Sequence, residues 1–182
     1  GDHVALHHDL DAPLVDCSSI EDWKAKFKGQ KVFVTPHHMG YQTGYRGYNW
    51  KCFSEGDQTP FVEMLSRHGL AEGDMGDINY YHDMGPRQWE GTIQYGLSLG
   101  KKFGIMGSTD QHSGYPGSYG DGRVGVLAES LNRDNIWEGL RSRHLFLAIY
   151  TNLHHRYLHY TVCCRIDTCR FEVEEYYRPF KF

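Results

Sequence analysis

Three short, mainly apolar runs, each followed directly by polar residues, limit the folds that this chain can adopt. The runs cover residues 31–35, 60–66 and 103–107. Their length and their Val, Ile and Phe content are typical of strands buried on both faces. Segments with the period of a helix precede, separate and follow these runs. Strands that alternate with helices predict an α/β fold, either layered or closed into a barrel, with parallel strand pairing.

Three helices are predicted from the signals at their ends. Ser18 and Glu21 form a capping-box pattern, and Gly29 lies where the first helix should stop. A second helix should begin at Pro86, because proline is favoured in the first helical turn. Asn132 should cap the third helix through its side-chain oxygen.

The chain is predicted to contain one structured domain and a tail. Its 182 residues fit a single hydrophobic core. Residues 4–6 and 144–150 are predicted as further strands. After residue 151 the helix and strand periods fade. We therefore predict one domain over residues 1–151 and a divergent tail of unknown role over residues 152–182.

Charge and composition disfavour several classes of partner. Lys and Arg total 19 against 23 Asp and Glu, and the net charge of −4 speaks against nucleic acid. No apolar run approaches the roughly 20 residues that cross a bilayer, and the first residues lack the layout of a signal peptide. The odd count of five Cys does not form a disulfide framework. We expect a soluble chain that binds neither nucleic acid nor membrane, and its compartment stays open.

Metal-ligating residue types recur at the ends of the three apolar runs. These residues are His37 and His38 on the first run, Glu63 and His68 on the second, and Asp110 and His112 on the third. The carboxyl ends of parallel strands meet at one edge of a sheet, so these side chains should converge. Imidazole and carboxylate together suit Zn, Mn or Fe better than Ca. The hydroxyls of Ser108, Thr109 and Ser113 are placed to hydrogen-bond the ligands.

Each of these residues also has an ordinary structural interpretation. Asp110 and His112 lie in a Ser- and Gly-rich segment, where Asp often forms a turn. His37 and His38 could form a solvated turn. Glu63 is costly to bury without a partner, so it either belongs to a site or lies at an exposed sheet edge. The recurrence of such residues at three strand ends favours a metal site. The chain has no Gly-x-Ser-x-Gly nucleophile motif.

The segments around these residues resemble the PHP (polymerase and histidinol phosphatase) superfamily, and more closely a branch of unknown function within it. The resemblance is carried by residues 32–40, 62–69 and 104–117, which include Pro-His-His and Ser-x-Asp-x-His-Ser-Gly. It implies a distorted (β/α)7 barrel of the TIM type. It also implies two or three divalent metal ions at the strand ends and phosphoester hydrolysis by metal-activated water.

The resemblance assigns roles residue by residue. Asp110 and His112 match the ligand pair after the family's final metal-binding strand. His37 or His38 matches the ligand of an earlier strand, and the sequence does not say which. Glu63 and His68 match positions that we interpret as secondary ligands or proton-transfer groups.

The family's opening His-x-His strand has no match in this chain, since His3, His7 and His8 do not fit it. We therefore expect the C-terminal part of the barrel, which a further segment, a partner chain or a second copy would complete. The preferred function is a metal-dependent, phosphoesterase-like hydrolase of a small molecule. The alternatives are a non-catalytic metal-binding or interaction module and a hydrolase of non-phosphate bonds.

Overall fold

The structure is a computed structural model that describes residues 1–53, 56, 58–73, 84–115, 117, 122–150, 157–165 and 168–176. It contains helices and strands, and the strands form small sheets. The strands are β1 (His3–His7), β2 (Val32–Pro36), β3 (Phe61–Ser66), β4 (Gly69–Leu70), β5 (Gly104–Gly107), β6 (Gly122–Val126), β7 (Leu145–Tyr150), β8 (Tyr157–Arg165) and β9 (Thr168–Tyr176). The helices are α1 (Ile20–Lys26), α2 (Ile93–Ser98) and α3 (Arg133–Arg141), with 3₁₀ turns at Trp50–Cys52 and Trp89–Gly91. None of the described helices is long and apolar enough to span a membrane.

Three sheets account for these strands. β1 pairs with β2 in antiparallel register. β3 lies between β4 and β5, and it runs parallel to β5. The third sheet has the order β6-β7-β8-β9 and is antiparallel. Parallel pairing among the described strands is therefore confined to β3 and β5, which corrects the expectation that it would be general.

The apolar strands lie side by side in chain order. Val34 of β2 donates its backbone N–H to the carbonyl of Gln58, just before β3, at 2.7 Å. The Thr35 hydroxyl donates to the carbonyl of Phe61 in β3 at 3.3 Å. β5 pairs with β3, and β7 packs beside β5. The described strands do not close a barrel, so the partial barrel stays a prediction.

The first helix begins one residue later than predicted. Ser19, not Ser18, is the N-cap, and its hydroxyl accepts the backbone N–H of Asp22 at 3.1 Å. The Asp22 carboxylate in turn accepts the backbone N–H of Ser18 at 2.9 Å. Asp22, rather than Glu21, is therefore the acidic partner at this end of the helix, and it accepts from the residue before the N-cap. The prediction for α3 is confirmed, because Asn132 accepts the backbone N–H of Asn135 at 2.8 Å.

The prediction that a helix begins at Pro86 is wrong. α2 begins at Ile93, capped by the hydroxyl of Thr92. The backbone just before α2 is hydrogen-bonded to the loop after β2. The backbone N–H of Gly40 in that loop donates to the carbonyl of Gly91 at 2.9 Å. A side chain at Gly91 would meet the carbonyl of Tyr41 at 2.7 Å. These tertiary hydrogen bonds use the groups that a helix would need for itself.

The main core lies between β3, β5, the loop after β2 and α2. Trp50 stacks on Phe103 at a ring-centroid distance of 4.9 Å, and its indole N–H donates to the carbonyl of Thr92. A second contact joins distant parts of the chain, since Phe33 of β2 stacks on Trp137 of α3 at 3.8 Å. The three strands that carry the predicted ligands are therefore held by buried apolar side chains.

The tail predicted without regular structure contains two strands, β8 and β9, which pair as a hairpin. β8 also pairs with β7. Residues 151–156, 166–167 and 177–182 lie outside the described residues. The domain boundary at residue 151 stays a prediction, and strand pairing crosses it.

Candidate metal centre

The six predicted site residues lie in a single cluster, and each is within 4.0 Å of at least one other member. β2 ends immediately before His37 and His38, and β5 ends shortly before Asp110. His68 lies in the tight turn between β3 and β4, where Ser66 pairs with Gly69. The adjacency of β2, β3 and β5 therefore brings together residues far apart in the sequence, as predicted from the strand-end pattern.

Glu63 is buried, and its carboxylate has two partners. Its Oε1 lies 2.8 Å from Nδ1 of His37, and its Oε2 accepts the hydroxyl of Ser108 at 2.6 Å. Only 6% of the residue is exposed, so the sheet-edge alternative does not hold. The expected hydrogen bond from Ser108 to a member of the site is confirmed. Because Glu63 holds Nδ1 of His37, the other imidazole nitrogen, Nε2, is directed toward the rest of the cluster.

Three imidazoles surround the carboxylate of Asp110. Its Oδ2 lies 3.6 Å from Nε2 of His37, 4.0 Å from Nδ1 of His38 and 3.2 Å from Nε2 of His68. Ligands that bind one transition-metal ion at about 2.0–2.2 Å are separated from each other by about 3–4 Å. The separation of each imidazole nitrogen from Oδ2 of Asp110 lies in this range.

Two of these donor atoms are buried and have no hydrogen-bond partner among the residues that the structure describes. They are Nδ1 of His38 and Oδ2 of Asp110. An unpaired buried polar group costs about 1–3 kcal/mol, so a folded protein rarely keeps two of them together without a reason. A cation between the two atoms would satisfy both.

Ligand atoms of His37, His38 and Glu63 also lie within 4.8 Å of one another. The 2.8 Å contact between His37 and Glu63, however, is a hydrogen bond that leaves no space for an ion between them. We therefore assign Glu63 to the support of His37. Asp110 is the carboxylate that faces the imidazole nitrogens.

The backbone is strained at two members of the cluster. His38 has a φ of 58° and Asp110 a φ of 46°. Side chains other than glycine rarely adopt positive φ, at a cost of about 1–3 kcal/mol, and such strain is concentrated at functional sites. In this protein it directs the two side chains whose buried atoms lack partners toward each other.

The surroundings shift the pKa values of the two adjacent histidines in opposite directions. Burial alone lowers the pKa of His37, but the hydrogen bond and charge of Glu63 and the charge of Asp110 outweigh it and raise the pKa. Burial lowers the pKa of His38, and the neighbouring His37 lowers it further. His38 is therefore favoured in its neutral form, which is the form that binds metals.

His112 lies at the open edge of the cluster. Its Nδ1 is 4.0 Å from the other carboxylate oxygen of Asp110, Oδ1, and 76% of its side chain is exposed. The side chains of His37, His38, His68 and Asp110 are far less accessible, at 14%, 8%, 17% and 10%. The role of His112 as a ligand stays a prediction.

Asp2 is a member of the cluster that the sequence analysis missed. Its Oδ2 lies 3.8 Å from Nε2 of His38 and 3.4 Å from the guanidinium of Arg46. Pairing of β1 with β2 places it there, because His3 is opposite Pro36. An antiparallel partner for β2 was not predicted, so no sequence signal pointed to Asp2.

No family model matches this chain, and neither a curated protein nor a solved structure matches it. The resemblance of the strand-end segments to the PHP superfamily therefore stays a prediction. The evidence for a metal centre is the set of buried donor atoms and their separations.

Proposed function

We propose that this chain is a metal-dependent hydrolase, phosphoesterase-like in its chemistry, that acts on a small molecule. Asp110 would hold a divalent cation (Zn, Mn or Fe) together with His37, His38 and His68. The observation that carries the proposal is the buried Oδ2 of Asp110, which has no hydrogen-bond partner among the described residues and has imidazole nitrogens at 3.2, 3.6 and 4.0 Å. The resemblance to the PHP superfamily suggests two or three ions in a complete site.

Each residue has a defined task in this proposal. Glu63 holds His37 with its Nε2 toward Asp110, and Ser108 holds Glu63. A bound divalent ion supplies water of lowered pKa and withdraws charge from a phosphoester oxygen. His112 lies on the exposed side of Asp110, where its ring can contact the substrate or complete the ligand set.

The proposed fold is the C-terminal part of a PHP-type barrel. Support comes from β2, β3, β5 and β7, which lie side by side in chain order as successive barrel strands do. Among the described strands β1 pairs with β2 alone, so one of its edges is open to a further strand. A further segment, a partner chain or a second copy would complete the barrel there.

A non-catalytic metal-binding module is the second candidate. The low exposure of His37, His38, His68 and Asp110 favours it, because structural metal sites are closed whereas catalytic sites keep a position open to substrate. Turnover decides between the two candidates. Hydrolysis of p-nitrophenyl phosphate that stops on addition of a chelator supports the enzyme, and metal binding without turnover supports the module.

Elemental analysis by inductively coupled plasma mass spectrometry tests the centre itself. The purified chain is stripped of metal, reconstituted with Zn, Mn or Fe, and compared with Asp110→Ala. We expect near-stoichiometric metal in the original chain and at least about tenfold weaker binding in the variant, because Asp110 faces all three imidazoles.

His144→Ala is the matched control, since it removes an exposed imidazole outside the cluster. It should bind metal like the original chain, and circular dichroism should show both variants folded. Full metal content in a folded Asp110→Ala protein would refute the proposed centre.

A further inference from the structure

Asp2 lies on the opposite side of His38 from Asp110. Its Oδ2 is 3.8 Å from Nε2 of His38, whereas Oδ2 of Asp110 is 4.0 Å from Nδ1 of the same ring. The backbone holds Asp2 in this place, because its carbonyl accepts the N–H of His37 at 2.9 Å. Strand pairing, and not the mobile end of a side chain alone, therefore brings this carboxylate to the cluster.

The neighbouring histidine also lies between two carboxylates, and its outer contact is closer. Nδ1 of His37 contacts Glu63 at 2.8 Å, and its Nε2 faces Asp110 at 3.6 Å. Each of the two rings thus lies between the shared carboxylate of Asp110 and an outer carboxylate of its own. A carboxylate on the outer nitrogen of a metal-binding histidine holds the tautomer and orientation of the ring.

We propose that Asp2 is the positioning residue of His38, with a role equivalent to that of Glu63 for His37. It accepts the N–H at Nε2 of His38 and so leaves Nδ1 without a proton and directed at Asp110. The consequence for metal binding rests on the proposed function. The consequence for the tautomer of His38 does not, because it concerns the protein without metal.

The 3.8 Å separation exceeds a hydrogen bond by about 1 Å, so the proposed contact requires a rotation of the Asp2 side chain toward the ring. Such a rotation is unhindered by burial, since 55% of the Asp2 side chain is exposed. Arg46 contacts the same oxygen at 3.4 Å and keeps the carboxylate near the cluster. If Asp2 only formed this surface ion pair with Arg46, removal of its carboxylate would leave the tautomer of His38 unchanged.

Nitrogen-15 NMR of the imidazole rings tests the tautomer in metal-free protein at about pH 8, where a histidine is neutral. We expect the share of His38 that carries its proton on Nε2 to fall in Asp2→Ala and to recover in Asp2→Glu. Asp11→Ala, which removes an exposed carboxylate from the same N-terminal segment, should match the original chain. An unchanged His38 signal in Asp2→Ala would overturn the proposal.

Cobalt binding, followed by its visible absorption spectrum, tests the consequence for the metal. Asp2→Ala should weaken Co²⁺ binding about 10- to 100-fold and change the spectrum, while Asp11→Ala should do neither. Equal affinity in Asp2→Ala and the original chain would also count against the role of Asp2. Failure of the original chain to bind Co²⁺ would refute the proposed function instead, and the NMR comparison would still decide the role of Asp2.

Discussion

At the scale of single residues, the balance of charge around Glu63 shapes the properties of the centre. The carboxylate is buried, and its partners are the imidazole of His37 and the hydroxyl of Ser108. A buried ion pair contributes to stability only while both members are charged. Glu63 raises the pKa of His37 against the effect of burial, so protonation of His37 couples the stability of this pair to pH.

The metal-free protein should therefore show a pH-dependent effect of Glu63→Gln. A group with a raised pKa in the folded state stabilises below its unfolded pKa, about 6.5 for histidine, and loses this contribution as the pH rises through the folded value. The difference in unfolding free energy between the original chain and Glu63→Gln should be largest near pH 6 and smaller near pH 9.

Urea denaturation in the presence of a chelator measures this difference at each pH. Asp11→Asn, which neutralises an exposed carboxylate elsewhere, should show no comparable trend. A difference that grows above pH 7 would mean that the charge of His37 does not stabilise the pair.

At the scale of elements, the caps decide where the helices begin. In α1 the hydroxyl of Ser19 receives the N–H of Asp22, while the backbone of Ser18 donates to the Asp22 side chain. The two adjacent serines thus have different roles that their shared residue type does not reveal. The helix that begins at this cap buries Trp23 against Phe27.

Ser19→Ala should lower the free energy of unfolding by about 1 kcal/mol, the usual cost of losing an N-cap hydroxyl. Ser18→Ala keeps the backbone donor, and its effect should stay below about 0.5 kcal/mol. Urea denaturation of the two variants side by side measures both values. A larger loss for Ser18→Ala than for Ser19→Ala would show that the helix begins one residue earlier.

At the scale of the whole molecule, one aromatic stack joins the sheet of β1 and β2 to the C-terminal helix. Phe33 of β2 stacks on Trp137 of α3 and meets Phe61 of β3 edge-on at 5.6 Å. Because β2 leads directly into His37 and His38, this packing also fixes the position of two proposed ligands. The proposed metal centre therefore depends on a contact between Phe33 and Trp137, which are far apart in the chain.

Phe33→Ala should lower the free energy of unfolding by about 3–5 kcal/mol, since it removes a buried ring from the contact between distant elements. Leu131→Ala is the control, because Leu131 is 95% exposed, and it should change stability by less than about 0.5 kcal/mol. Urea denaturation followed by tryptophan fluorescence measures both. A small effect of Phe33→Ala would show that β2 and α3 are stabilised independently.

The amino-acid sequence was sufficient to identify the strands that carry the proposed centre and the residues at their ends. β2, β3 and β5 agree with the predicted runs because burial of short apolar segments is a local signal. The same holds for α3, whose cap lies within the pattern that predicted it. His37, His38, Glu63, His68, Asp110 and His112 were therefore identifiable as a set.

Only the tertiary structure decided how these residues divide their roles. Glu63 supports His37 because Ser108 and His37 are both within hydrogen-bond distance, and Asp2 joins the cluster through the antiparallel pairing of β1 with β2. The late start of α2 follows from backbone hydrogen bonds to the loop after β2. Each outcome depends on partners distant in sequence, and a local pattern carries no information about which distant groups will satisfy a buried charge or backbone donor.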